Sequence, residues 1–236
     1  MSSIWLTGLV ATSLGIGIGG LLSFLIHGNK RSIGTIYSVC TGIILGLASF
    51  EIIPEALEKG SWITMSAGFL GGMVLFLLSH LVLGFSFQSH KVQHIKSGFL
   101  LTIAISIHNF PMGMTIGSIE QTDLTSALLA AVVMHNIPEG MILFAPLILT
   151  GFRMTVLIGF SALVAVPFGM GAYIGERIGI ESDYLWSFLV ALSVGMIYMV
   201  AIREILPEAI RHSSHAYSLF VAVISFLLIG AYLLCI

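Results

Sequence analysis

Residues 108–114 read His-Asn-Phe-Pro-Met-Gly-Met, and residues 135–141 read His-Asn-Ile-Pro-Glu-Gly-Met. The shared pattern is H-N-x-P-x-G-M. Each copy lies inside a continuous apolar run, at about 97–119 and about 124–149. Each histidine falls 11 residues after the start of its run. At about 1.5 Å per residue that is ~16–17 Å of helix, near the middle of a ~30 Å hydrocarbon layer. The two runs are consecutive, so as membrane spans they point in opposite directions. Their motifs still meet at one depth.

Working outward, six further runs of similar length occur at about 4–26, 33–57, 62–85, 153–175, 185–209 and 216–235. The breaks fall at 27–32, 58–61, 86–96, 120–123, 151–153, 176–183 and 211–215, and every loop is short. Composition agrees. The 236 residues are 57% hydrophobic and 8% charged, against about 25% charged in soluble domains. Nine scattered Lys and Arg with a net charge of −2 leave no basic face for phosphates, so nucleic acid is excluded as a partner. A β-barrel would show alternating segments of ~10 residues, whereas these runs are continuously apolar. The expected fold class is an all-α polytopic membrane protein with eight transmembrane helices, a single transmembrane domain over residues 1–236. The N-terminus lacks a basic leader and reads as the first span. Cys40 and Cys235 lie in apolar runs with no CxxC, which gives no disulfide framework.

A second pair of echoes links spans 2 and 7. Glu51-Ile52-Ile53-Pro54-Glu55-Ala56 matches Glu204-Ile205-Leu206-Pro207-Glu208-Ala209 at five of six positions. An even and an odd span are antiparallel. Two matched motif pairs on oppositely directed helices signal inverted repeats, helices 1–3 against 6–8 with 4 paired to 5. Many secondary transporters are built this way, with midplane sites on broken helices. The loops after spans 1, 3, 5 and 7 hold Lys30, Arg31, Lys91, Lys96, Arg153 and Arg211, while those after spans 2, 4 and 6 hold Lys59 and Arg177. The positive-inside rule then places both termini outside the cytoplasm, in the cell membrane.

The spacing inside the motifs sets their chemistry. His108 and Met112 are four residues apart and share a helix face, as do His135 and Glu139. Asn109 and Asn136 sit about 100° round from their histidines. Pro111 and Pro138 each remove a backbone bond and free the carbonyls of Ile107 and Met134. Two imidazoles, one carboxylate, a thioether and two amides make a mixed N, O and S set for a borderline-soft divalent metal. Such groups are expensive at bilayer depth.

The paired HNFPMG and HNIPEG helices resemble helices 4 and 5 of the ZIP (Zrt-, Irt-like) family of divalent metal transporters. The eight spans, the outward termini and the Pro-Glu-Ala sequences are similar too, nearest the bacterial, GufA-like branch. The resemblance implies ATP-independent uptake of zinc, iron(II), manganese or cadmium into the cytoplasm. It also implies a homodimer, no cofactor, and the metal ion as substrate. It implies further that helices 1, 4, 5 and 6 move against a scaffold of 2, 3, 7 and 8. Two positions depart from the family pattern. Met112 stands where many relatives have Glu, and Val166, before Pro167-Phe168-Gly169, stands where others have a second Glu. A single-metal site is the expectation, softer than its relatives' and weaker for hard ions.

Other polar residues have two readings each. Glu51, Glu55, Glu204 and Glu208 are either carboxylates along the transport path or partners of Lys59, Arg203 and Arg211. His80 reads as interfacial. His90, His94, His212 and His215 read as loop residues or thin metal collectors. Gly15–Gly20 matches G-x-G-x-x-G but has no βαβ unit around it, so helix packing explains it better than a nucleotide. GxxxG spacings recur at Gly42/Gly46, Gly68/Gly72, Gly113/Gly117 and Gly171/Gly175. The function expected is therefore transport, not enzymatic catalysis. An intramembrane zinc metallohydrolase lacks HExxH and a spare general base. A metal-sensing relative that does not transport is the other alternative.

Overall fold

The computed structural model describes residues 4–26, 30–86, 93–118, 125–149 and 154–235. All regular structure among them is helical: α1 (Ile4–Ile26), α2 (Lys30–Leu47), α3 (Ile53–Lys59), α4 (Trp62–Ser86), α5 (Gln93–Gly117), α6 (Thr125–Leu149), α7 (Met154–Ile178), α8 (Asp183–Val200), α9 (Leu206–His212) and α10 (His215–Cys235). Span 2 is α2 followed by α3, span 7 is α8 followed by α9, and the other six spans are single helices. Among the described residues, six spans are long and apolar enough to cross a membrane. The remaining two are α5 and α6, each 25 residues long, which carry the polar motifs. The chain is an all-α, multi-pass membrane protein.

Several helices overrun their expected ends. α5 starts at Gln93, so His94 is helical, and α7 continues to Ile178. Between α9 and α10 only Ser213 and Ser214 break the helix, which draws His212 and His215 into helix ends. Charged and polar residues are tolerated there because long side chains reach the interface while the backbone stays bonded. His90 lies outside the described residues.

The breaks are in unexpected helices. α5, α6 and α7 run unbroken past Pro111, Pro138 and Pro167. Spans 2 and 7 instead change to π-helix at matching places, Ala48–Ile52 and Ala201–Ile205. The Ile53 N–H reaches back to the Ala48 carbonyl, and the Leu206 N–H to Ala201. Each wide turn sits just before a proline, Pro54 or Pro207, which then occupies the first turn of the resumed helix. Proline lacks an N–H and is tolerated in that place. The extra residue in the turn absorbs the missing bond and carries Glu51 or Glu204.

The packing partners also match. α1 packs on α6 and α7, α5 on α7 and α8, α4 on α8, and α2 on α6 and α10. Exchanging spans 1 with 6, 2 with 7, 3 with 8 and 4 with 5 turns this set of contacts into itself. Glycine makes the contacts close. Gly113 and Gly117 of α5 face the carbonyls of Phe168 and Ala172, while Gly171 and Gly175 of α7 face those of Phe110 and Met114. Gly68 and Gly72 abut Phe188 and Leu192 of α8, Gly42 and Gly46 abut α10, and Gly19 and Gly140 join α1 to α6. All four GxxxG pairs lie at interfaces, where a side chain would hold the backbones apart.

The two ends of the bundle differ. Where α2 begins and α8 ends, Ile33, Ile44, Ile105, Ile142, Leu143 and Ile197 form a fully buried apolar plug. The opposite end holds a cavity, described below.

Gly19→Val should lower the thermal midpoint of the purified protein by roughly 5 °C or more, since overpacking costs about 1–3 kcal/mol. Gly159→Ala, where an added Cβ meets nothing within 4 Å, should leave it unchanged. Equal midpoints for the two variants would contradict the close-packing account.

Candidate metal centre

α5 supplies His108, Asn109 and Met112, and α6 supplies His135, Asn136 and Glu139. The helices meet at mid-length, with His108 Nε2 3.3 Å from Glu139 Oε1. His135 lies one helical turn before Glu139 on the same face of α6. His108, Asn109, Asn136 and Glu139 are each at most 1% exposed, and His135 is 5% exposed. Met112 is half-buried.

A residue of α8 sets the state of His108. Its Nδ1 lies 3.0 Å from the Ser193 carbonyl and 2.8 Å from Ser193 Oγ, and that hydroxyl donates to the His108 carbonyl at 3.1 Å. A carbonyl only accepts, so Nδ1 carries the proton and donates. In the neutral imidazole, the form that ligates a metal, Nε2 keeps its lone pair on the side of the Glu139 carboxylate. In that form two acceptors face each other across 3.3 Å.

The neighbouring groups repeat this pattern. His108 Nε2, His135 Nε2, both Glu139 oxygens, Asn136 Oδ1 and both polar atoms of the Asn109 amide are buried without a hydrogen-bond partner among the described residues. The three oxygens of Glu139 and Asn136 and the Asn109 oxygen are acceptors, and each histidine Nε2 becomes one in the tautomer protonated at Nδ1. Burying such groups unpaired costs on the order of 1–3 kcal/mol each, and more for a charge. A bound cation is the kind of group that satisfies such acceptors, since each can offer it a lone pair. Asn136 is partly committed elsewhere, since its Nδ2 donates to the Val132 carbonyl at 2.8 Å. Among the described residues no three His, Cys, Asp or Glu side chains are gathered tightly enough to surround an ion, so the shell is incomplete in this conformation.

It is reachable from one end. His135 and Met112 line a cavity of about 90 Å³ that is also lined by Glu51, Glu55, Thr115 and Trp186. These residues come from the C-terminal ends of span 2 and α5 and the N-terminal halves of α6 and α8. Glu51 and Glu55 therefore share a space with the site, and Glu55 also pairs with Lys59 at 3.5 Å. Glu204 and Glu208 lie at the opposite end and are tied down. His80 Nδ1 is 3.4 Å from Glu204, Arg211 Nη1 donates to Glu208 at 3.2 Å, and His212 is 3.8 Å from Glu208. The His80–Glu204 pair joins α4 to the π-turn of span 7 and was not legible in the sequence. His212 donates from Nδ1 to the Glu208 carbonyl at 2.9 Å, a helix-end role.

One position reads differently in three dimensions. Val166 is 39% exposed and lines an outer apolar groove with Trp5, Leu9, Met170 and Tyr173. A carboxylate there would point away from His108 and Glu139. Phe168, fully buried, is the α7 residue packed inward beside Met112. Ser193 is the neighbour that sequence reasoning missed. It is one serine in an apolar run, 85 positions from its partner, with no local signal.

Comparison with known proteins adds a separate line. A family model described as ZIP Zinc transporter matches residues 85–236. A zinc transporter ZupT of Streptococcus mutans is 25% identical, over 98% of this chain and 97% of its own length. One from Chlorobium limicola is 24% identical over 84% and 85% of the two chains. The mouse zinc transporter ZIP10 is 27% identical over 50% of this chain and 15% of its own length.

If the central acceptors are unpaired, removing the charge should help the metal-free protein. Glu139→Gln should raise the thermal midpoint in the presence of a chelator by a few degrees, corresponding to about 1–2 kcal/mol. A lower midpoint would mean that Glu139 is already satisfied by the chain.

Proposed function

The chain belongs to the ZIP family of zinc transporters, and we propose that it carries divalent metal, zinc foremost, toward the cytoplasm through the midplane site of α5 and α6. The observation that carries this reading is the buried set of polar atoms on His108, His135 and Glu139 that lack a hydrogen-bond partner among the described residues. His108 and His135 each offer a neutral imidazole nitrogen, and Glu139 supplies the neutralising charge. Met112 completes the shell on its cavity side, and Asn109 and Asn136 contribute amide oxygens. This donor set suits zinc, iron(II) and cadmium better than manganese.

The site holds one ion. With Met112 in place of a carboxylate, Glu139 is the acidic group facing the histidines. Two dications about 4 Å apart would repel by about 16 kcal/mol at an effective dielectric of ~20, and one carboxylate does not offset that.

Direction follows from the two ends of the bundle. The cavity meets the site from the end that the Lys and Arg bias assigns to the outside, past Glu51 and Glu55. The apolar plug around Ile105, Ile142, Leu143 and Ile197 closes the cytoplasmic side. Release requires that plug to open and Glu204 and Glu208 to exchange their present partners. The matched helix contacts and matched π-turns support a second state in which the ends trade roles. Residues 1–236 act as one transporter unit in the cell membrane, with both termini outside. Homodimerisation belongs to the same proposal on family grounds.

Flux into proteoliposomes tests it. Radioactive zinc should enter vesicles carrying the full chain, and His135→Ala or Glu139→Ala should reduce the rate at least tenfold with insertion unchanged. Undiminished flux in both variants would overturn the site. Met112→Glu should raise manganese flux relative to zinc by a few-fold, since a carboxylate favours harder ions. An unchanged ratio would remove Met112 from the shell.

A further inference from the structure

We propose that Lys59 is a tethered competitor cation at the outer mouth of the pathway, and that it makes the mouth discriminate by ionic charge. The inference rests on the transport reading above. Lys59 closes α3. Its Nζ lies 3.5 Å from Glu55 Oε1 and 3.9 Å from the centroid of the Trp186 ring. Glu51, Glu55 and Trp186 line the cavity that leads to His135 and Met112. The ammonium therefore stands where an arriving cation would meet Glu55. The indole face adds a cation–π attraction that keeps it there.

The support beneath Lys59 is rigid. Trp186 is buried and packs with Ala56, Val190 and Val194. Ser187 Oγ donates to the Ala56 carbonyl at 2.6 Å, and Gly60 lies against Ser187 with no room for a side chain. These contacts staple the end of α3 to the start of α8, so Lys59 and Trp186 move together.

The charge arithmetic gives the consequence. A sodium or potassium ion that displaced Lys59 would exchange one unit charge for another and gain nothing from Glu51 and Glu55. A dication brings twice the charge and gains. Monovalent ions, which outnumber trace metals by orders of magnitude, are thereby kept from collecting at the two carboxylates. The cost is a somewhat weaker hold on the dication. Lys59 and Glu55 are 40% and 44% exposed, so solvent screens the pair and the effect is a few-fold.

The test compares wild type, Lys59→Met and Lys59→Arg, each as the full chain in proteoliposomes. Zinc flux is measured over a concentration series in choline chloride and in sodium chloride of equal ionic strength. In choline, Lys59→Met should lower KM about two- to fivefold with Vmax unchanged. Sodium should then raise the KM of Lys59→Met several-fold while leaving wild type and Lys59→Arg unaffected. An unchanged or higher KM in choline, or no gain in sodium sensitivity, overturns the proposal. A second readout does not need flux. With Trp5 and Trp62 replaced by Phe, zinc should change the fluorescence of Trp186 in detergent, and Lys59→Met should abolish the change. Fluorescence that responds while zinc flux is absent in wild type refutes the transport reading and leaves the competitor intact. Fluorescence that ignores zinc in the Lys59 protein refutes the competitor.

Discussion

His108 Nε2 lies 3.3 Å from a carboxylate oxygen of Glu139, deep in the bundle, and neither atom has a hydrogen-bond partner among the described residues. In water that arrangement would be hydrated and unremarked. Inside a bilayer no solvent answers it, and it is held only because the surrounding structure fixes every member. Ser193 holds the far side of the His108 ring. Gly140 and Gly19 bring α6 against α1, and Gly113 and Gly171 bring α5 against α7. These close contacts hold α5 and α6 in place, so the buried motif side chains stay in the bundle interior. The cost of the unpaired groups is carried by close helix packing, and in the proposed function an arriving cation would remove it.

The two ends of the molecule hold related groups in different states. Matching π-turns before Pro54 and Pro207 present Glu51 and Glu204 at corresponding places. Glu51 faces a cavity that reaches the centre, whereas Glu204 is engaged by His80 and sealed behind an apolar plug. A pathway open at one end and closed at the other is what alternating access requires at any one moment. The wide turns give spans 2 and 7 a place to change register without losing the rest of their backbone bonds.

Much of this was written in the sequence. Apolar run lengths gave the eight spans, and the paired histidine motifs gave helices that do meet at mid-length. The GxxxG spacings marked real contacts, because that periodicity is a property of one helix face alone. What the sequence concealed depends on distant partners. Ser193 against His108, His80 against Glu204 and Lys59 over Trp186 each join residues on different helices, and no spacing rule reaches across them. Proline also misled. Pro111 and Pro138 sit in unbroken helices, while Pro54 and Pro207 follow wide turns, because the outcome depends on whether neighbouring helices hold the chain straight. Val166 looked like a lost ligand on the strength of its flanking residues, but the rotation of α7 turns it to the outer groove.

The central claim is that one ion sits among His108, His135 and Glu139. Crystals of the full chain soaked in zinc, measured at the zinc absorption edge, test it most directly. The account predicts a single strong anomalous peak within bonding distance of His108 Nε2, His135 Nε2 and a Glu139 oxygen. Two strong peaks about 4 Å apart, or a peak away from these three side chains, would contradict it.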